Sequence, residues 1–294
     1  MKFKGGRKAL QIPHGDLSNL YSVWKGHSSK IGKKIDSQGW VQLFSIWTLT
    51  VGGIVLSMDL NDRYIYWEWS GWIEGFIKLL IVSIVFIFIL KPNEMWTAGT
   101  KRLNIKEFLI HTVIGSILVV FGLIDLEAVI GFFEVKIESF YKGLFLFYIA
   151  LSIVPYIFSL LSCLMVFQFI LELEEDKGTW NNFNWEHKFG YLSISVILMA
   201  LAMFLGIFLE DPVASTAAAV SIPFPLIALI WPNHVRHLQR ARFYPLFTFA
   251  MFLSVRAAWF LVPLAVLFFT LRMVNYFRYG IVHPSFGVDF LEEE

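Results

Sequence analysis

Charge is scarce in this 294-residue chain: only 16% of its residues are Asp, Glu, Lys or Arg, against about 25% in a soluble globular domain. Apolar and aromatic residues fill the gap at 57%, among them 30 Phe, 11 Trp and 10 Tyr, and mean hydropathy is +0.63. Too little polar surface remains to keep such a particle in water. That excludes a soluble enzyme, a disordered chain and a nucleic-acid-binding domain. Cysteine is almost missing as well. The lone Cys163 stands in an apolar run, so no intrachain disulfide or multi-cysteine metal site can form, and it reads as a small buried hydrophobe. No cleavable signal peptide is visible, because the first apolar run begins only near Trp40 and no A-x-A-like site follows a short apolar stretch. The N-terminal segment is therefore expected to be retained. Also missing are G-x-S-x-G, H-E-x-x-H, a glycine-rich phosphate loop and paired intramembrane aspartates, so no enzyme signature is present.

What the chain has is long apolar runs. A helix crossing the hydrocarbon core needs about 20 largely apolar residues, and seven stretches qualify: Trp40–Met58, Trp72–Leu90, Phe108–Ile124, Leu144–Leu171, Tyr191–Leu209, Pro212–Pro232 and Pro245–Thr270. The runs are continuous rather than alternating, which argues against a lipid-facing barrel. The expected fold is all-α: a polytopic membrane helix bundle of about seven spans over 40–270. A basic arm (1–39) precedes it and an aromatic-rich tail (271–294) follows. The fourth and seventh runs exceed the required length, so tilt, a kink or an extension into water is expected there.

The basic residues orient the bundle. With the N-terminus inside, 17 of the 24 Lys and Arg fall on the cytoplasmic side and five on the other, with Lys78 and Arg256 inside spans. Such asymmetry predicts a cytoplasmic N-terminus and, with seven spans, an outside C-terminus. Arg272 and Arg278 pull the other way. They follow the last run closely and suit a cytoplasmic C-terminus, and Pro263 could break that run. The expected location is a bacterial-type inner (plasma) membrane.

Few polar groups lie inside the spans, and Arg256 is the most informative. It is the twelfth residue of the 245–270 run, about 16 Å from its start, too deep to snorkel. A central charge costs at least ~2.5 kcal/mol even on the lenient insertion scale. Every carboxylate falls in a connection or at a span end. Candidate partners for Arg256 are therefore backbone carbonyls freed by proline, a carboxylate of another subunit, a lipid phosphate or an anionic ligand. Pro155 frees the carbonyl of Leu151, Pro223 that of Ala219, Pro225 that of Ser221 and Pro263 that of Trp259. The sixth run opens on small residues and then meets Pro223 and Pro225, a pattern of broken transporter helices and equally of kinked passive bundles. Lys78 lies one turn after Glu74 near a span end, where a lysine snorkels. His111 stands near the inner end of the third run and suits a structural role.

On the inner face, Arg236, Arg240 and Arg242 form a basic loop suited to lipid headgroups or a partner. His234 and His237 in that loop, with His187 on the same side, are a weak match to a metal site, which needs three or four convergent ligands. No metal or cofactor is assigned, and bound lipid is expected. The arm carries Leu17, Leu20, Tyr21 and Trp24 among its basic residues and is expected to lie along the inner membrane surface or a partner. Expected partners are the bilayer and other membrane subunits or further copies of the chain; nucleic acid is not among them. Three functional readings follow: a non-catalytic subunit that supports or assembles a larger membrane complex, a transporter or channel for an anionic or lipid-like substrate, and, less well supported, a membrane enzyme or cofactor-binding subunit.

Overall fold

A computed structural model describes residues 16–37, 40–52, 72–123, 139–175, 185–230, 244–256 and 258–279. Among them every regular element is helical. The order is α1 (Asp16–Ser37), α2 (Trp40–Trp47) running into a π-helical turn (Thr48–Gly52), α3 (Trp72–Val85) running into a second π-helical turn (Phe86–Leu90), the short α4 (Pro92–Met95), α5 (Ile105–Leu123), α6 (Ser139–Glu175), α7 (Trp185–Phe208), α8 (Pro212–Ser221), α9 (Pro223–Ile230), α10 (Tyr244–Arg256), a 3-10 turn (Ala258–Phe260) and α11 (Leu261–Tyr279). The chain divides into two compact units. One joins 1–40 to 262–294, and the other is 41–261.

The larger unit is a helix bundle centred on α6 and α7. Helices α8 and α9 pack along α7, and α10 lies against α8 and α6. On the other flank α5 packs on α6 and on the π-helical turn after α2. Four stretches are long and apolar enough to cross a membrane: Ile105–Leu123, Tyr141–Phe169, Gly190–Phe208 and Pro212–Ile230. They match the third to sixth runs read from the sequence. The other three differ. The first run is described only as far as Gly52, the second is divided between α3 and its π-helical turn, and the seventh is interrupted between Arg256 and Leu261.

The prolines explain part of this pattern. Pro263 sits in the first turn of α11, where a missing N–H costs nothing, and its ring disfavours an α-helical partner four residues back. That coincides with the 3-10 turn at Ala258–Phe260. Pro155, by contrast, lies inside the 37 residues of α6, which continue through it. Between Pro212 and Ile230 the helix is interrupted only at Ile222. That residue keeps right-handed helical angles, and its N–H reaches the carbonyl of Ala218.

Small residues set the closest approaches. Ala214, Ala217 and Ala218 of α8 are fully buried. A Cβ on Gly206 of α7 would stand 2.7 Å from the backbone nitrogen of Ser215. With no hydrophobic gain between helices in lipid, such contact is what holds them together. The outward side chains are apolar, including Phe88, Phe121, Phe147, Phe204 and Phe208.

Candidate functional site

A dense network of directed polar contacts lies where the segment after α4, the start of α5 and the end of α6 meet. Asn104 caps α5: its Oδ1 accepts the Glu107 N–H at 2.9 Å, and Glu107 Oε2 accepts the Asn104 N–H at 3.0 Å. This reciprocal capping box satisfies two donors that a helix start leaves open. Glu107 Oε1 also accepts from Lys101 Nζ at 2.6 Å. One turn on, His111 Nδ1 is 2.8 Å from the carbonyl of Glu107. A carbonyl only accepts, so Nδ1 carries the proton and, in the neutral ring, Nε2 accepts from the Thr97 hydroxyl at 3.1 Å. The fully buried Trp96 donates its Nε1–H to the His111 carbonyl at 3.0 Å.

Gln168 of α6 ties this segment down. Its Oε1 accepts the Leu103 N–H at 2.8 Å, and its Nε2 donates to the carbonyls of Ala98 at 3.0 Å and Lys101 at 3.3 Å. Backbone groups that no helix pairs need other partners once they are buried. One amide side chain meets three of them here. Arg102 adds an ion pair to Glu172 at 3.4 Å.

Hydroxyls then run through the bundle. Ser162 Oγ donates to the Ser195 carbonyl at 2.9 Å and lies 2.7 Å from the Ser195 hydroxyl. Ser159 reaches the Pro155 carbonyl at 3.0 Å and Met199 Sδ at 3.6 Å. Thr248 of α10 donates to Ser221 of α8 at 3.0 Å and meets the buried Cys163 thiol. The Ser221 hydroxyl in turn donates to the Ala217 carbonyl at 2.6 Å.

At the far end, α7 closes with the N–H of Asp211 on the Gly206 carbonyl and that of Glu210 on Ile207, with Glu210 in the left-handed region at φ 55°. This is a Schellman ending with glutamate where glycine is usual. The next residue opens α8. Asp211 Oδ1 accepts from the N–H groups of Val213 and Ala214, and Oδ2 accepts from the Tyr156 hydroxyl at 2.8 Å. Pro212 then takes the first helical position. Leu209-Glu210-Asp211 thus links the two helices in three residues.

The predicted site residues fall unevenly on this frame. Arg256 is the last residue of α10, and its side chain lies outside the described set. Its backbone can still be placed. Thr248 meets Ser221 and Phe247 stacks 4.9 Å from Phe224, so α8 and α10 run antiparallel. Eight residues beyond Thr248 and eight before Ser221 bring residue 256 to the level of Val213, beside the turn that holds Asp211. Pro155 and Pro225 are buried, Pro263 is partly exposed and Pro223 is exposed. Arg236, Arg240, Arg242, His234 and His237 lie outside the described residues, as does the side chain of His187. No three His, Cys, Asp or Glu side chains converge among the described residues. Lys78 pairs with Glu74 at 2.9 Å.

Sequence reasoning missed Gln168, Trp96 and the Tyr156–Asp211 bond. The Asn104-x-x-Glu107 spacing and the Asp211-Pro212 pair were visible signals for two of the helix starts. Gln168 was visible too, as an amide inside an apolar run. Comparison with protein-family models, with curated proteins and with solved structures finds no match.

Proposed function

We propose that this chain is a non-catalytic integral membrane subunit of a bacterial-type inner membrane, supporting or assembling a larger membrane complex. One observation carries the reading: the polar side chains buried between α6, α7, α8 and α10 bind one another or nearby backbone. Ser162 with Ser195, Thr248 with Ser221, and Gln168 with the 98–103 backbone join helices in fixed register. Fully buried alanines close the space between α7, α8 and α10. Helices joined in this way under apolar outer faces suit a scaffold.

A second reading, a transporter or channel for an anionic or lipid-like substrate, draws on different groups. Thr50 on the first π-helical turn and Thr112 on α5 have buried hydroxyls with no hydrogen-bond partner among the described residues, and these two elements pack together. π-Helical segments often mark functional positions. Arg256 and the carbonyls freed by Pro223 and Pro225 would add the polar contacts.

Gentle-detergent purification followed by mass determination tests the choice. A particle heavier than the 34.0 kDa chain that contains other subunits is expected. A monodisperse monomer that moves solute across liposomes would overturn the subunit reading in favour of transport. Arg256→Leu is expected to lower recovery of the complex, and Lys78→Leu to leave it unchanged.

A further inference from the structure

The smaller unit presents a surface that the packing of the bundle does not explain. Helix α1 carries Leu20, Trp24 and Ile31 at helical spacing, each about half exposed. Beside this stripe, Tyr21 and Ser28 are buried. Tyr21 lies edge-on to Tyr276 at 6.1 Å and against Phe277 at 5.7 Å, and Trp24 faces Phe277 at 6.2 Å. The same helix exposes Lys25, Lys30, Lys33 and Lys34. Four lysines in 22 residues exclude a membrane crossing. An apolar stripe flanked by lysines is instead the pattern of a helix lying in the membrane interface, and the charge selects an anionic surface.

The contact between α1 and α11 also bears on topology. Helix α1 ends only three residues before α2 begins, so Tyr21 remains on the side where the N-terminus starts. Tyr276 and Phe277 touch it, so the end of α11 is on that side as well. We propose that α1 and the last turn of α11 form one basic, aromatic platform on the anionic surface of the cytoplasmic leaflet, so that both ends of the chain share one side of the membrane.

An even number of crossings follows, in place of the seven read from the sequence. The interruption between Arg256 and Leu261 divides the seventh run. Arg272 and Arg278, exceptions under the earlier orientation, then join the other cytoplasmic basic residues and raise their number from 17 to 19.

The test uses the full chain in nanodiscs with single spin-labelled cysteines. Native Cys163 is fully buried and should not take the label, which unmutated protein will check. With phosphatidylglycerol in the disc, a label at Ile31→Cys should be open to oxygen and shielded from a water-soluble nickel complex, while one at the exposed Ser22→Cys should meet the nickel freely. Pure phosphatidylcholine, or replacement of the four lysines by glutamine, should raise nickel accessibility at position 31 several-fold. Shielding that is indifferent to lipid charge would mean that protein covers the stripe, and would overturn the proposal. So would free nickel access at position 31 in anionic discs. In oriented vesicles, a membrane-impermeant maleimide should label Ser22→Cys and Glu294→Cys from the same side. Labelling from opposite sides would refute the shared topology.

Discussion

The knot around Gln168 and the corner between α1 and α11 join segments distant in sequence by opposite means. In the knot, irregular backbone is held by short directed bonds from one buried amide, and each bond answers a backbone group that no helix pairs. In the corner, rings of α1 and α11 meet at 5.7–6.2 Å and part of the apolar stripe stays uncovered. The knot is complete within the chain. The corner needs a second surface, and its lysines indicate which kind. Polar satisfaction fixes position; aromatic contact leaves room for an interface to decide.

The sharpest way to break this contrast is Gln168→Leu. The substitution keeps the volume but strips the Leu103 N–H and the Ala98 carbonyl of their partner. Orphaned buried groups cost 1–3 kcal/mol each, so a loss of about 3 kcal/mol is expected, read as a lower thermal midpoint of the purified protein in nanodiscs. A change within error would show that water reaches this segment and that the knot is not closed.

Gly206→Ala comes next. The new Cβ would lie 2.7 Å from backbone nitrogen and 3.0 Å from Cα of Ser215, and backbone cannot swing aside. Separating α7 from α8 should cost about 2 kcal/mol. Gly115→Ala is the control. Its Cβ meets Leu160 Cδ2 at 2.8 Å, the end of a side chain that can rotate, so its cost should be clearly smaller in the same melt. Equal losses would refute the assignment of Gly206 as a backbone contact.

Tyr156→Phe removes one bond to Asp211 and leaves the ring against Phe252 at 5.2 Å. About 1 kcal/mol is expected, with the helix cap from Asp211 retained. Asp211→Ala should cost more, since both the cap and the bond disappear. Thermal melts of both variants would rank the two.

Much of this could be read from the sequence, but not evenly. Apolar run length located the four membrane-length helices because each buries its backbone bonds within itself, which makes the signal local. The division of the seventh run was half legible: Pro263 marked the neighbourhood, but the break falls just before it, where the 3-10 turn lies. The partners of Gln168 were illegible because they lie more than 60 residues away and are backbone groups that carry no residue-type signal. Arg256 is a middle case. The sequence identified it as a charge needing an answer. Helix register adds that its backbone ends level with the first turn of α8, beside Asp211, a carboxylate that sequence position alone had assigned to a short connection.

The smallest expected effect tests the corner itself. Tyr21→Phe keeps the ring that meets Tyr276 and Phe277 and removes only the hydroxyl, so at neutral pH its cost should be about 0.5 kcal/mol or less. The difference should emerge in alkali. Burial, with the neighbouring Tyr276 phenol, raises the pKa of Tyr21 above its ordinary value of 10.0. The packed state therefore favours the neutral phenol. Its contribution is fully present below pH 10 and declines as pH climbs through the raised value, because the ionised ring must leave the corner to be solvated. A spin label at Ile31→Cys should accordingly gain mobility above pH 10 in the native corner, and this alkaline step should be smaller with phenylalanine at position 21. An identical step in both proteins would assign the transition to other groups and leave the corner held by ring packing alone.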